Sequence, residues 1–160
     1  MAPVPVSLFL SWSQENRRLK DDLMRRLTPN LSILRDVRIS WWEDSQLLIG
    51  TNFLPAIVDE AAKCDFGLLL LSPDFFASKF VTTHELPRFV GAAADKGALP
   101  VALLPVVVDD GSRELYGVEQ TQIFHYRGKA FSELSGAGRD DFAGELATQI
   151  LRRIRHDRWG

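Results

Sequence analysis

Four consecutive leucines, Leu68 to Leu71, closed by Ser72-Pro73, constrain this chain more than any other stretch. The run has no polar alternation, so a strand made from it has no face to give to water. Such strands belong inside parallel sheets covered by helices on both sides. Ligands of open α/β sheets bind beyond the carboxyl ends of the strands. That rule places Ser72 where chemistry belongs, and with it the segment that follows Pro73-Asp74-Phe75-Phe76, namely Thr82-Thr83-His84-Glu85-Leu86. Glu85 is the first candidate by position.

The rest of the chain alternates strand and helix signals around this centre. Val6-Ser7-Leu8-Phe9-Leu10 reads as a first strand, ended by Ser11-Trp12-Ser13. Leu19, Leu23 and Leu27 recur at helical spacing after it, with Ser13 able to cap the start and Pro29-Asn30 expected to stop the helix. Val37 to Trp42 reads as the second strand. The second helix is expected to begin near Thr51 or Asn52, to tolerate Pro55 in its first turn, and to turn Phe53, Leu54, Ile57, Val58, Ala61 and Ala62 inward. Asp65 to Leu71 is the third strand, Phe75 to Phe80 a short helical turn, and Thr83 to Ala94 a longer helix interrupted near its start by Pro87. Leu99 to Val108 is a fourth strand whose prolines suggest a bulge or a place nearer the edge. Gln122 to Tyr126 is a possible fifth. Phe142, Leu146, Ile150, Leu151 and Ile154 form the stripe of a last helix. Strands alternating with helices predict one doubly wound parallel sheet, a single domain over 1–160 with its core at about 6–157.

Composition narrows the function classes. With 46% apolar and 25% charged residues the chain is ordinary globular material, and a net charge of -2 gives no electrostatic case for nucleic acid or a membrane surface. One cysteine, Cys64, excludes an internal disulfide and suits a reducing compartment. No apolar run reaches the ~18 residues of a membrane span, and the expected location is cytoplasmic. No Gly-rich phosphate loop follows a strand, and His84, His125 and His156 have no metal-ligand spacing, so neither a metal nor a bound cofactor is expected. The arginines and histidine from Arg152 to Arg158 suit the carboxyl end of a helix.

The individual motifs admit structural readings. Thr82-Thr83-His84-Glu85 matches a capping box, Ser72 can simply end a strand, and Trp12 and Trp42 can be core aromatics. The loop Glu43-Asp44-Ser45-Gln46-Leu47-Leu48-Ile49-Gly50 carries three adjacent aliphatic residues, which either tuck onto the core or touch another molecule.

Taken in order, however, Ser11-Trp12-Ser13, the Trp42 to Gly50 loop, Leu70-Leu71-Ser72-Pro73-Asp74-Phe75 and His84-Glu85-Leu86-Pro87 resemble a bacterial Toll/interleukin-1 receptor (TIR) domain. The resemblance is strongest from Val6 to Val108. It implies a flavodoxin-like, doubly wound parallel sheet of five strands with helices on both faces. It also implies one of two roles. Many bacterial TIR domains are NAD+ nucleosidases that cleave the nicotinamide-ribose bond, with NAD+ as substrate, using a glutamate early in the helix after the central strand. Glu85 stands at that place. Ser11, Trp12, Ser13, Trp42, Asp44, Ser72 and Phe80 are then the substrate-binding candidates. Leu47, Leu48, Ile49 and Gly50 match the loop through which these domains assemble with one another. NAD-cleaving members often carry tryptophan four residues before the glutamate, where this chain has Val81, with Phe80 the nearest aromatic.

The alternative role is a non-catalytic adaptor that acts by TIR-TIR assembly alone. A third class is another nucleotide-processing α/β enzyme of similar topology, such as a nucleoside glycosyl-transfer enzyme. The resemblance to NAD-cleaving members implies antiphage defence or NAD-depletion signalling as the context, and an NAD-destroying domain has to be held inactive. The expected arrangement is an amino-terminal effector in a longer protein, with a sensor following it or acting as a separate partner and driving filament-like self-association.

Overall fold

The side-chain pattern of each strand explains the layering of the computed structural model, which describes residues 2–43, 53–92, 94–108 and 110–159, with the backbone alone for Phe53, Leu54, Val58 and Trp159. Strand β1 (Val4–Ser11) sends Leu8, Leu10 and the following Trp12 to one face and Phe9 to the other, as successive strand residues must. Helix α1 (Arg17–Ser32) covers the first face with Leu23, Leu27 and Leu31. Pro29 does not stop this helix; it lies inside it, and the chain runs on to Ser32. Ser13 is the expected cap, accepting from Glu15 N at the 3-10 turn Gln14–Asn16 that leads directly into α1.

Strand β2 (Val37–Trp42) pairs with β1 in parallel. Helix α2 (Phe53–Lys63) returns over the opposite face and buries Ile57 and Ala61, whereas Ala62, expected inward, is exposed. Strand β3 (Phe66–Leu71) begins one residue later than expected and is buried along its whole length, in parallel with both β1 and the following β4 (Gly97–Ala102). The strand order is therefore β2-β1-β3-β4. Right-handed crossovers put α1 on one face as the chain steps outward to β2, and α2 on the other as it steps back past β1. The long helix α4 (Gly136–Trp159) joins α1 on the first face through Phe142, Leu146, Ile150 and Ile154. Among the described residues no helix is long and apolar enough to cross a membrane.

The expected fifth strand is absent from the described sheet, which has four strands. Only Phe124 pairs with β4, donating to Pro100 O and accepting from Ala102 N, each at 2.9 Å. Local turn chemistry explains the failure. Arg127 and Gly128 both have positive φ and fold Tyr126 back onto Lys129 in a tight turn, which takes the next residue out of register with β4. Strand β4 itself stops at Ala102, six residues short of the expected Val108. Pro100 sits on this outer strand, where its missing N–H is tolerated.

The helix expected over Thr83 to Ala94 is also different. After helix α3 (Pro73–Ala77), capped by Ser72 accepting from Phe75 N, the chain makes a π-helical turn over Val81–Glu85 and a 3-10 turn over Leu86–Arg88. Thr82 does not serve as the cap of the expected capping box. The chain is already helical at Phe80, so Thr82 has no vacant cap position and its hydroxyl turns back to Ser78 O at 3.0 Å.

Candidate functional site at the carboxyl ends of β1 and β3

Strand alternation brings Ser11, the last residue of β1, to the same face as Phe9 and opposite Leu69 of β3. The π turn brings Glu85 to meet it. In that wider turn Leu86 N bonds back to Val81 O, five residues away, and such insertions cluster at functional sites. Ser11 Oγ donates to Glu85 Oε1 at 2.6 Å. Both side chains are buried, Ser11 at 0% and Glu85 at 4% exposure, so the carboxylate is held away from bulk water with a charge-assisted hydrogen bond fixing one oxygen. This is the strand-end crevice between β1 and β3 where the chain reverses its direction across the sheet, the usual ligand position in a flavodoxin-type order.

A cavity of about 230 Å³ opens at Glu85. Trp12, Ser13 and Gln14 form one wall, and Ser78, Phe80 and Val81 the other. Of the residues expected to bind substrate, the structure thus gathers Trp12, Ser13 and Phe80 around Glu85, with Ser11 behind the carboxylate. Val81, four residues before Glu85, is buried and presents an aliphatic wall. Phe80 packs its ring against His84 at 5.2 Å.

Three expected roles do not fit the observed contacts. Trp12 is 5% exposed, its indole N–H donates to Glu43 Oε2 at 2.9 Å, and the Lys20 ammonium lies 4.3 Å from its ring centroid. It lines the cavity, but the Lys20 ammonium and the Arg17 guanidinium, 5.0 Å from the ring centroid, already lie over the ring on which a base was expected to stack. Trp42 stacks on Phe9 at 5.2 Å and 20°, as the registered neighbour of that residue, and does not line the cavity. Ser72 is 0% exposed, accepts from Phe75 N and donates to Asn16 Oδ1 at 2.6 Å, so its hydroxyl is fully engaged within the protein. Asp44, Leu47, Leu48, Ile49 and Gly50, with the expected helix start at Thr51 or Asn52, lie outside the described residues.

Sequence reasoning missed Gln14, Ser78, Lys20 and Asn16. Gln14 and Ser78 are loop residues beside ones already singled out, and proximity was the available signal. Lys20 is 7% exposed and ion-paired to Asp21 at 2.6 Å and Glu43 at 3.5 Å. A lysine between two leucines of a helical stripe carries no sign of being buried.

A larger cavity, about 570 Å³, lies beyond the outer edge of β4 between residues 122–127 and α4. It contains no residue expected to act. Of its polar groups, Arg153 donates to Ala98 O at 2.9 Å and Gln149 to Glu145 at 2.9 Å. Cys64 is buried, and that burial pushes its thiol up to about 11, which makes it a poor nucleophile. The chemistry therefore favours the smaller cavity, where a buried carboxylate meets an opening.

No curated protein and no solved structure matches the chain. A family model described as TIR domain matches residues 8–154, which takes in the carboxyl half of β1, strands β2 to β4 and the site just described. The chain belongs to the TIR-domain family.

Proposed function

We propose that this TIR domain is an NAD+ nucleosidase in which Glu85 is the catalytic residue. The observation that carries the reading is the buried Glu85 carboxylate, fixed by Ser11 at 2.6 Å, in an opening at the carboxyl ends of β1 and β3. The reaction suits so spare a site. When the bond between nicotinamide and ribose breaks, its electron pair goes to the pyridinium nitrogen and nicotinamide leaves neutral, so the leaving group needs no acid. The ribose carbon is left as an oxocarbenium ion. A fixed carboxylate opposite that developing charge stabilises the transition state more in a dry pocket than it could in water. Water then adds to the ribose carbon and releases a proton, giving ADP-ribose; attack by the adenine instead gives a cyclic product.

At about 230 Å³ the cavity is below the roughly 300–1,000 Å³ of a complete small-molecule site, so it takes the nicotinamide-ribose end and leaves the rest of the dinucleotide outside. TIR domains commonly self-associate, and a neighbouring copy contacting the Leu47 to Gly50 loop completes the pocket in this reading. The adaptor reading gains from Trp12 and Ser72, whose polar atoms are engaged with the protein itself. The deciding experiment is nicotinamide release from NAD+ at rising protein concentration, for the wild type and Glu85→Gln. Release that vanishes in the folded variant, a fall of at least about 10³-fold, supports the enzyme. Equal release from the two proteins would make Glu85 a structural residue of an enzyme that uses other groups, and no release from a concentrated wild type favours the adaptor.

A further inference from the structure

Asn16 stands immediately before α1, where an asparagine ordinarily caps the helix, yet its side chain makes no cap hydrogen bond. Its amide is engaged elsewhere. Nδ2 donates to Asp74 Oδ2 at 2.9 Å, and Oδ1 accepts from Ser72 Oγ at 2.6 Å. One side chain thus ties the loop leaving β1 to the loop leaving β3 across 56 to 58 residues of sequence. Asn16 is 7% exposed and Ser72 is 0% exposed, so the bond between them is shielded from water. An amide is suited to this junction because it offers a donor and an acceptor on one planar group, whereas a carboxylate offers acceptors alone.

The two loops so joined carry the two walls of the Glu85 cavity. Trp12, Ser13 and Gln14 precede Asn16 by a few residues, and Ser78, Phe80 and Val81 follow α3, whose amino end holds Ser72 and Asp74. We infer that Asn16 is a positioning residue: its bridge to Ser72 and Asp74 sets the spacing of the two walls, and with it the seat of the substrate beside Glu85. Asn16 itself does not line the cavity and acts through the residues that do. The inference rests on the NAD-cleaving reading of the site.

Asn16→Asp tests it, because aspartate caps a helix as well as asparagine does but turns an acceptor toward the Asp74 carboxylate. The expected result is a protein with the native far-UV spectrum and a thermal midpoint several degrees below wild type, because two carboxylates replace a hydrogen bond. Nicotinamide release is expected to fall about tenfold or more in kcat/KM, carried by KM, since the Ser11 to Glu85 bond is untouched. Backbone amide exchange is expected to quicken in Trp12 to Asn16 and in Ser78 to Glu85. The double variant Asn16→Asp/Asp74→Asn returns a donor to the junction and is expected to restore both KM and exchange. Wild-type KM and exchange in Asn16→Asp, or a folded double variant that restores neither, overturns the inference. A wild type that releases no nicotinamide defeats the proposed function alone; the exchange rates of the three proteins then decide whether Asn16 holds the two walls.

Discussion

Ser11 and Glu85 form the contact on which the site depends, and each contributes something different. The carboxylate supplies charge, and the hydroxyl fixes where that charge points. Replacing Ser11 by alanine removes a 2.6 Å charge-assisted hydrogen bond and leaves the buried carboxylate short of one donor. The expected outcome is a loss of about 1.5–3 kcal/mol of transition-state stabilisation, roughly 10- to 150-fold in kcat, with a folded protein by circular dichroism. A capping role for Glu85 would instead have made Glu85→Ala a stability variant costing about 1 kcal/mol with activity kept. The π turn makes that outcome unexpected, since Glu85 closes the turn and faces inward to Ser11. Gly67 is a second residue with a checkable consequence. A Cβ there would come within 2.7 Å of the Phe89 ring, which lies over β3 beside Phe9. Gly67→Ala is expected to destabilise the domain by about 1–3 kcal/mol in urea unfolding, because a packed ring has little room to retreat.

Helices α1 and α4 are joined by a charge cluster as well as by their leucine and phenylalanine stripes. Asp22 accepts from Arg26 at 3.0 Å and from Arg139 at 2.7 Å, and Arg26 also pairs with Asp140. Burial pushes the Asp22 carboxyl up, but hydrogen bonds from Arg139, Arg26 and Arg25 outweigh it and bring the carboxyl from 3.8 down to about 2. A depressed folded value means that this group stabilises the fold above the unfolded value and ceases to do so as pH falls through the folded one. Asp22→Asn is therefore expected to cost about 1–2 kcal/mol at pH 7. The gap from wild type should close between about pH 4 and pH 2 in chemical denaturation. A gap of constant size across that range would show that Asp22 contributes by packing instead of charge. The same two helices show how far an element is readable locally. Their stripes are legible because a buried face repeats every 3.6 residues, but the end of α1 is not, since Leu31 packs into the core and the helix continues past Pro29.

Assembly belongs to the molecule as a whole. If a second copy completes the Glu85 cavity through the loop containing Leu48, then activity rises more steeply than linearly with concentration, and Leu48→Glu lowers both sedimentation mass and nicotinamide release. Unchanged sedimentation of that variant would remove the loop from the interface. Head-to-tail packing of this kind is heterologous and can continue into filaments. The sequence by itself determined the parallel sheet, the centrality of Phe66 to Leu71 and the placement of Glu85 beyond a strand end. It could do so because burial leaves a local period in the choice of apolar residues. The tertiary structure decided which polar atoms remain for chemistry. Trp12 is closed off by Lys20 and Glu43, Ser72 by Asn16, and the fifth strand is reduced to Phe124 by the turn at Arg127 and Gly128. Ser11 and Glu85 meet across 74 residues and Ser72 and Asn16 across 56, and no local propensity encodes a pairing at that range. It arises only when right-handed crossovers bring the ends of β1 and β3 side by side and the buried donors there must find acceptors.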